Sequence, residues 1–201
     1  MLSISKELIK HAREFAGYIT KHQWERMGDG GILFPRARFA VHGRYIHGVN
    51  GADWQTDANL VPTEGLNSLL TQGVCGGTQI TAWYLALYAG AISPTSSWTA
   101  SNFASTATEI TSGSEGYTQS TRVSYVPGTP ASGAVDNSAS LAAFTIATAT
   151  SLTVNGAGLL SASAKGATSG KLMSASRFAS ARSLSNGDTF NLGYAVDGTS
   201  T

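Results

Sequence analysis

The side chains able to serve as acid, base, nucleophile or metal ligand are few, and their spacing suits no familiar reaction. His42 and His47 lie five apart, with Asp53 and Asp57 beyond them. A helical pair at i, i+4 or a zinc-finger pair would bring imidazoles onto one ion. Five-residue spacing does neither, so the set reads as structural or solvent-facing. Cys75 is the single cysteine and stands in Gly73-Val74-Cys75-Gly76-Gly77, past an expected helix end, where no helix N-terminus lowers the thiol pKa. It reads as a small buried apolar residue. Gly28-Asp29-Gly30-Gly31 lacks both the Lys-Ser/Thr tail and the preceding strand of a phosphate loop. Beyond residue 60 the acids are Glu64, Glu109, Glu115, Asp136, Asp188 and Asp197, with five cations and no histidine. Asp136 and Asp188 sit among Gly and Asn, where Asp supplies turn hydrogen bonds. The expectation is no catalytic centre, no cofactor and no metal site.

The composition narrows the class further. The 201 residues are 42% hydrophobic, enough for a packed core, but only 12% charged, about half the ~25% usual for a globular domain. The net charge of +1 points to neither nucleic acid nor an anionic membrane. No apolar run reaches membrane-spanning length, and the opening residues lack the apolar region of a signal peptide. A single cysteine forms no intrachain disulfide, so the sequence fits synthesis and folding in a reducing cytoplasm.

Charge is unevenly spread. The first 60 residues hold 14 charged side chains and all four histidines, against 11 charged side chains in the remaining 141. A shift of this kind marks segments with different surroundings, and the expected division is a docking arm over residues 1–60 and a β domain over 61–201. The arm opens with a helix expected over residues 5–22, whose apolar stripe includes Leu8, Phe15 and Ile19. Two readings stand: a surface helix with a solvated charged face, or a helix whose stripe packs on a neighbouring subunit. Residues 32–59 are rich in Gly and aromatics, with Phe39-Ala40-Val41 and Arg44-Tyr45-Ile46 as short strand candidates. Arg36, Arg38 and Arg44 interleaved with Phe39 and Tyr45 would suit stacked bases, yet Arg beside aromatics is equally typical of protein interfaces. An extended arm ordered by a partner is the reading here. Leu8, Phe15, Ile19, Arg36, Arg38, Phe39, Arg44 and Tyr45 are its expected partner-binding residues.

The rest reads as β. A short helix begins it, with Thr63 as N-cap, Glu64 in the first turn, Leu66, Leu69 and Leu70 as the buried side and Gly73 as the stop. Residues 82–88 are apolar on both faces, hence a deeply buried strand. Further strands are expected at 121–126, 143–148, around Leu152 and Val154, and more weakly at 159–162 and 171–174. The clearest is 190–197, where Phe190, Leu192, Tyr194 and Val196 alternate with small or polar residues. Asn186-Gly187-Asp188 and Asn155-Gly156 read as turns. Short strands separated by turn residues predict a mainly β fold, an antiparallel β-sandwich of jelly-roll or Greek-key type. Two Ser/Thr-rich stretches, 93–114 and 127–140, are expected to be long loops, either solvated or in contact with another protein, their lack of charge suiting contact.

The blocks Glu64-Gly65-Leu66-Asn67 and Gly76-Gly77-Thr78-Gln79-Ile80-Thr81-Ala82-Trp83-Tyr84-Leu85-Ala86-Leu87-Tyr88 resemble small virion proteins of tailed phages. So do Asp136-Asn137-Ser138-Ala139-Ser140, Phe144-Thr145-Ile146 and Ser174-Ala175-Ser176-Arg177-Phe178, followed by Arg182-Ser183 and Gly187-Asp188-Thr189. The resemblance spans residues 59–197. It implies a jelly-roll-like cement or decoration protein that clamps capsid subunits of the head. The alternative it leaves is a tail or collar fibre module, docked by its arm and facing the host surface. Either way the expected partners are other virion proteins, namely the major capsid protein or the portal and tail proteins, with self-association into a homo-oligomer. Direct nucleic-acid and membrane contact are not expected. The location implied is the virion, assembled in the host cytoplasm.

Overall fold

The computed structural model describes residues 39–200 continuously, preceded by Ala16, Glu25–Arg26 and Ile32–Leu33. Two units are distinguished, one of residues 1–40 with 199–201, the other Val41–Gly198. In the first, β1 (Glu25–Arg26) and β2 (Ile32–Leu33) pair antiparallel, Glu25 opposite Leu33 and Arg26 opposite Ile32. Of the helix expected over 5–22, only Ala16 lies within the described residues, and it is helical.

The larger unit is an antiparallel β-sandwich. Its strands are β3 (Phe39–Val49), β4 (Ala52–Ala58), β5 (Trp83–Tyr88), β6 (Gly116–Tyr117), β7 (Val123–Tyr125), β8 (Ala134–Asp136), β9 (Ala142–Ala147), β10 (Leu152–Leu160), β11 (Leu172–Leu184) and β12 (Thr189–Ser200). One sheet runs β11-β10-β5-β7; the other runs β4-β3-β12-β9-β6, with β8 paired to β12. The chain crosses repeatedly between the sheets, as Greek-key connections require. Period-2 alternation decides which side chains face inward. Leu85, Leu87, Phe144, Ile146, Val154, Phe178, Phe190 and Leu192 meet in the core between the sheets.

The strand that is apolar on both faces has its explanation in a second core. Ala86 and Tyr88, on the outer face of β5, pack with Trp98 and Phe103. These come from the Ser/Thr-rich stretch expected to be a loop. Part of that stretch is a helix, α2 (Ala100–Ala107), laid over the outside of the four-stranded sheet. Thr99 N–H donates to Asn102 Oδ1 at 2.9 Å to start it. The other stretch, 127–140, contains β8 and a 3-10 turn, Ser138–Ser140.

Four further expectations change. The composition break near residue 60 is not where the sheet begins: β3 and β4 are strands of the six-stranded sheet, and β3 is one 11-residue strand rather than two short pieces. Asn155-Gly156 is not a turn but mid-strand in β10. A Cβ on Gly156 would lie 2.2 Å from both the Ser176 carbonyl oxygen and the Tyr88 ring, so glycine is there for close approach. Cys75 is exposed, standing in the turn after the helix that precedes it, its N–H donating to Leu70 O. That helix, α1 (Thr63–Gly73), has Pro62 rather than Thr63 at its N-cap. It buries Gly65 and Ser68, while Leu66, Leu69 and Leu70 stay exposed. The physical reason is Gly65, whose missing side chain lets the helix backbone close onto the Met173 carbonyl of β11.

Candidate interaction surfaces

The buried ionisable groups of the sandwich are committed to each other. Arg122 Nε and Nη2 donate to Glu109 Oε1 and Oε2 at 2.8 and 2.7 Å, a bidentate pair fully removed from solvent and therefore strong and directional. Arg122 Nη1 donates to Ala162 O at 2.9 Å, and Glu109 Oε2 also accepts Gly166 N–H. Lys165 lies 3.6 Å above the Tyr117 ring and donates to Tyr117 O; burial lowers its pKa against the opposing pull of Glu109. The pair thus ties the 161–167 segment to the sandwich.

On the opposite sheet, His47 Nε2 is 2.8 Å from Asp57 Oδ2, and Asp57 Oδ1 accepts Ala179 N–H at 2.7 Å. The imidazole stacks on Phe178 at 3.9 Å, its Nδ1 buried without a partner among the described residues. Burial lowers the His47 pKa, outweighing the hydrogen bond to Asp57. Arg182 reaches Asp53 at 2.8 Å. Asp136 accepts Ser138 N–H, and Asp188 accepts Ser185 N–H and an amide hydrogen of Asn50. Those bonds hold both carboxyls below their ordinary pKa, the turn role expected of them. Among the described residues, no three metal-ligating side chains gather, and no helix is long and apolar enough to cross a membrane.

Of the expected partner-binding residues, Leu8, Phe15, Ile19, Arg36 and Arg38 lie outside the described residues. Phe39 begins β3. Arg44 is half exposed on the outer side of that strand, 3.4 Å from Asp197. Tyr45 is corrected outright. It points into the core with no exposed surface, its ring 4.9 Å from Tyr194 and its hydroxyl 2.8 Å from Ser174 Oγ. Its neighbour in sequence faces out because strands alternate, so a stretch of Arg and aromatics cannot present both to one partner.

The surface feature that sequence reading missed is a cleft of about 730 Å³ beside α1. The helix contributes Thr63, Asn67, Thr71 and Gln72; the segment before α2 contributes Ser96, Ser97 and Thr99. Thr78 and Ile80 enter from the chain leading to β5, and Lys171 from the foot of β11. Glu64 holds these pieces together. Its Oε2 accepts Ala100 N–H at 2.7 Å and Leu172 N–H at 2.8 Å, while Oε1 is 3.6 Å from Lys171 Nζ. Thr63 N–H donates to Ser96 O, and Ile80 N–H to Gln72 Oε1 at 2.7 Å. The cleft is therefore preformed. The only sequence signals for it were the Ser/Thr richness of 93–99 and Glu64 in the first helical turn.

A protein-family model described as Podophage GP4 fiber I protein gp80 matches residues 34–195, a span that takes in the sandwich from β3 into β12. No curated protein matches the chain.

Proposed function

Because the chain belongs to the family described as Podophage GP4 fiber I protein gp80, and so is a structural component of a phage virion, we propose that it is a fibre module acting by contact rather than by catalysis. The observation that carries this is the extent of the family match, which covers the sandwich rather than a fragment of it. Head decoration, the first expectation from the sequence, has no comparable support, since the family is described as a fibre.

The physics is consistent with a fibre. The buried charges of the sandwich are spent on internal bonds, leaving a nearly neutral body suited to close contact with other subunits. In this reading the segment over residues 1–40 docks on the virion, with Leu8, Phe15, Ile19, Arg36 and Arg38 as anchors. Several copies then meet around a closed symmetry axis.

Copy number tests the reading. Quantitative mass spectrometry of purified virions, scaled to the major capsid protein, should return about a dozen copies or fewer, as closed tail symmetry allows. Hundreds of copies would move the protein to the shell.

A further inference from the structure

We propose that the cleft beside α1 binds an uncharged saccharide. Sugar binding here rests on the fibre reading for its biological sense, while the lining of the cleft supplies its chemistry.

Lys171 and Glu64 stand 3.6 Å apart and cancel, so no net charge invites a phosphate, a sulfated sugar or a metal ion. Apart from Ile80, no large apolar side chain lines it, so a peptide anchored by an aromatic or aliphatic residue would find no pocket to fill.

What it does offer is matched to a sugar. The Asn67 amide and the hydroxyls of Thr63, Thr71, Thr78 and Ser96 line the cleft and make no hydrogen bond among the described residues. Each hydroxyl both donates and accepts, and the amide presents both functions side by side, as the edge of a sugar ring does. The methyl groups of four lining threonines and the Ile80 side chain supply apolar contact for the carbon-bound hydrogens of the ring faces. The volume lies within the range of about 300–1,000 Å³ typical of ligand sites. The scaffold is already fixed by Glu64 and Gln72, so little ordering cost falls on binding.

The test uses the full chain, isotope-labelled, titrated to about 10 mM with glucose-, mannose-, galactose-, rhamnose- and N-acetylglucosamine-based oligosaccharides, and separately with a heparin oligosaccharide. The expected result is amide shift changes confined to Asn67, Thr71, Thr78, Ser96 and Ser97 with at least one neutral sugar and none with heparin. Asn67→Leu and Ser96→Val should each weaken that binding at least tenfold without moving the Tm. No response to any neutral sugar, response only to heparin, shifts elsewhere, or unchanged affinity in both variants would each overturn the proposal. So would contacts from residues 1–38 already filling the cleft in the free chain. Failure here leaves the copy number of the fibre unaffected, so the two readings fall separately.

Discussion

The Glu109–Arg122 pair shows how a chain poor in charge uses the few charges it has. Burying two ions is costly, and attraction with full hydrogen bonding roughly offsets that cost. Removing one partner does not. Glu109→Gln, which strands the guanidinium, should cost about 3–5 kcal/mol in urea unfolding, and a double replacement by Leu and Met should recover most of it; equal losses in both would contradict the pairing account. His47 gives a pH prediction. Its folded pKa is lowered by burial, so its neutral form suits both states above about pH 6.5. Below that, the unfolded chain takes up a proton the folded chain resists, and stability falls by up to about 1.4 kcal/mol per pH unit. Unfolding midpoints at pH 7.5 and 5.5 should therefore separate more in the native chain than in His47→Gln. None of these partners was legible in sequence. His47 and Asp57 read as structural or solvent-facing, with no sign of their bond to each other; Glu109 and Arg122 find each other only through two loops, and no local pattern encodes that.

At the scale of elements, periodicity located α1 and misjudged its orientation. The leucines define the apolar face, yet backbone contact through Gly65 is what seats the helix on β11. Leu66→Ser and Leu70→Ser should thus change stability by no more than about 0.5 kcal/mol, as surface substitutions do. Phe103→Ala on α2, where the sequence showed only a Ser/Thr-rich stretch, should cost about 3–5 kcal/mol. Thermal and urea unfolding of these variants decide between the two faces. A short helix of small residues carries almost no pattern, so only the two-faced apolarity of β5 hinted that something had to cover it. Gly156 makes the same point inside a strand. Asn-Gly reads as a turn by local chemistry, and only the Ser176 carbonyl and the Tyr88 ring packed against it explain a glycine there; Gly156→Ala should destabilise by overpacking, by about 1–3 kcal/mol.

For the whole molecule, the antiparallel sandwich was legible because strict alternation in residues such as 190–197 survives any packing detail. Its N-terminal edge was not. Arg44, His42 and the aromatics of β3 made that strand look like an arm, because it exposes one polar face while burying Tyr45 and His47. Eleven of the 14 charged side chains before residue 60 precede β3, so the charge break is set by residues 1–38, while β3 and β4 belong to the sheet. What remains is the place of this body in the particle. Gold labelling of intact virions with an antibody to this chain addresses it directly. A fibre module requires label clustered at the tail, with the capsid bare; label spread evenly over the capsid surface would contradict the account.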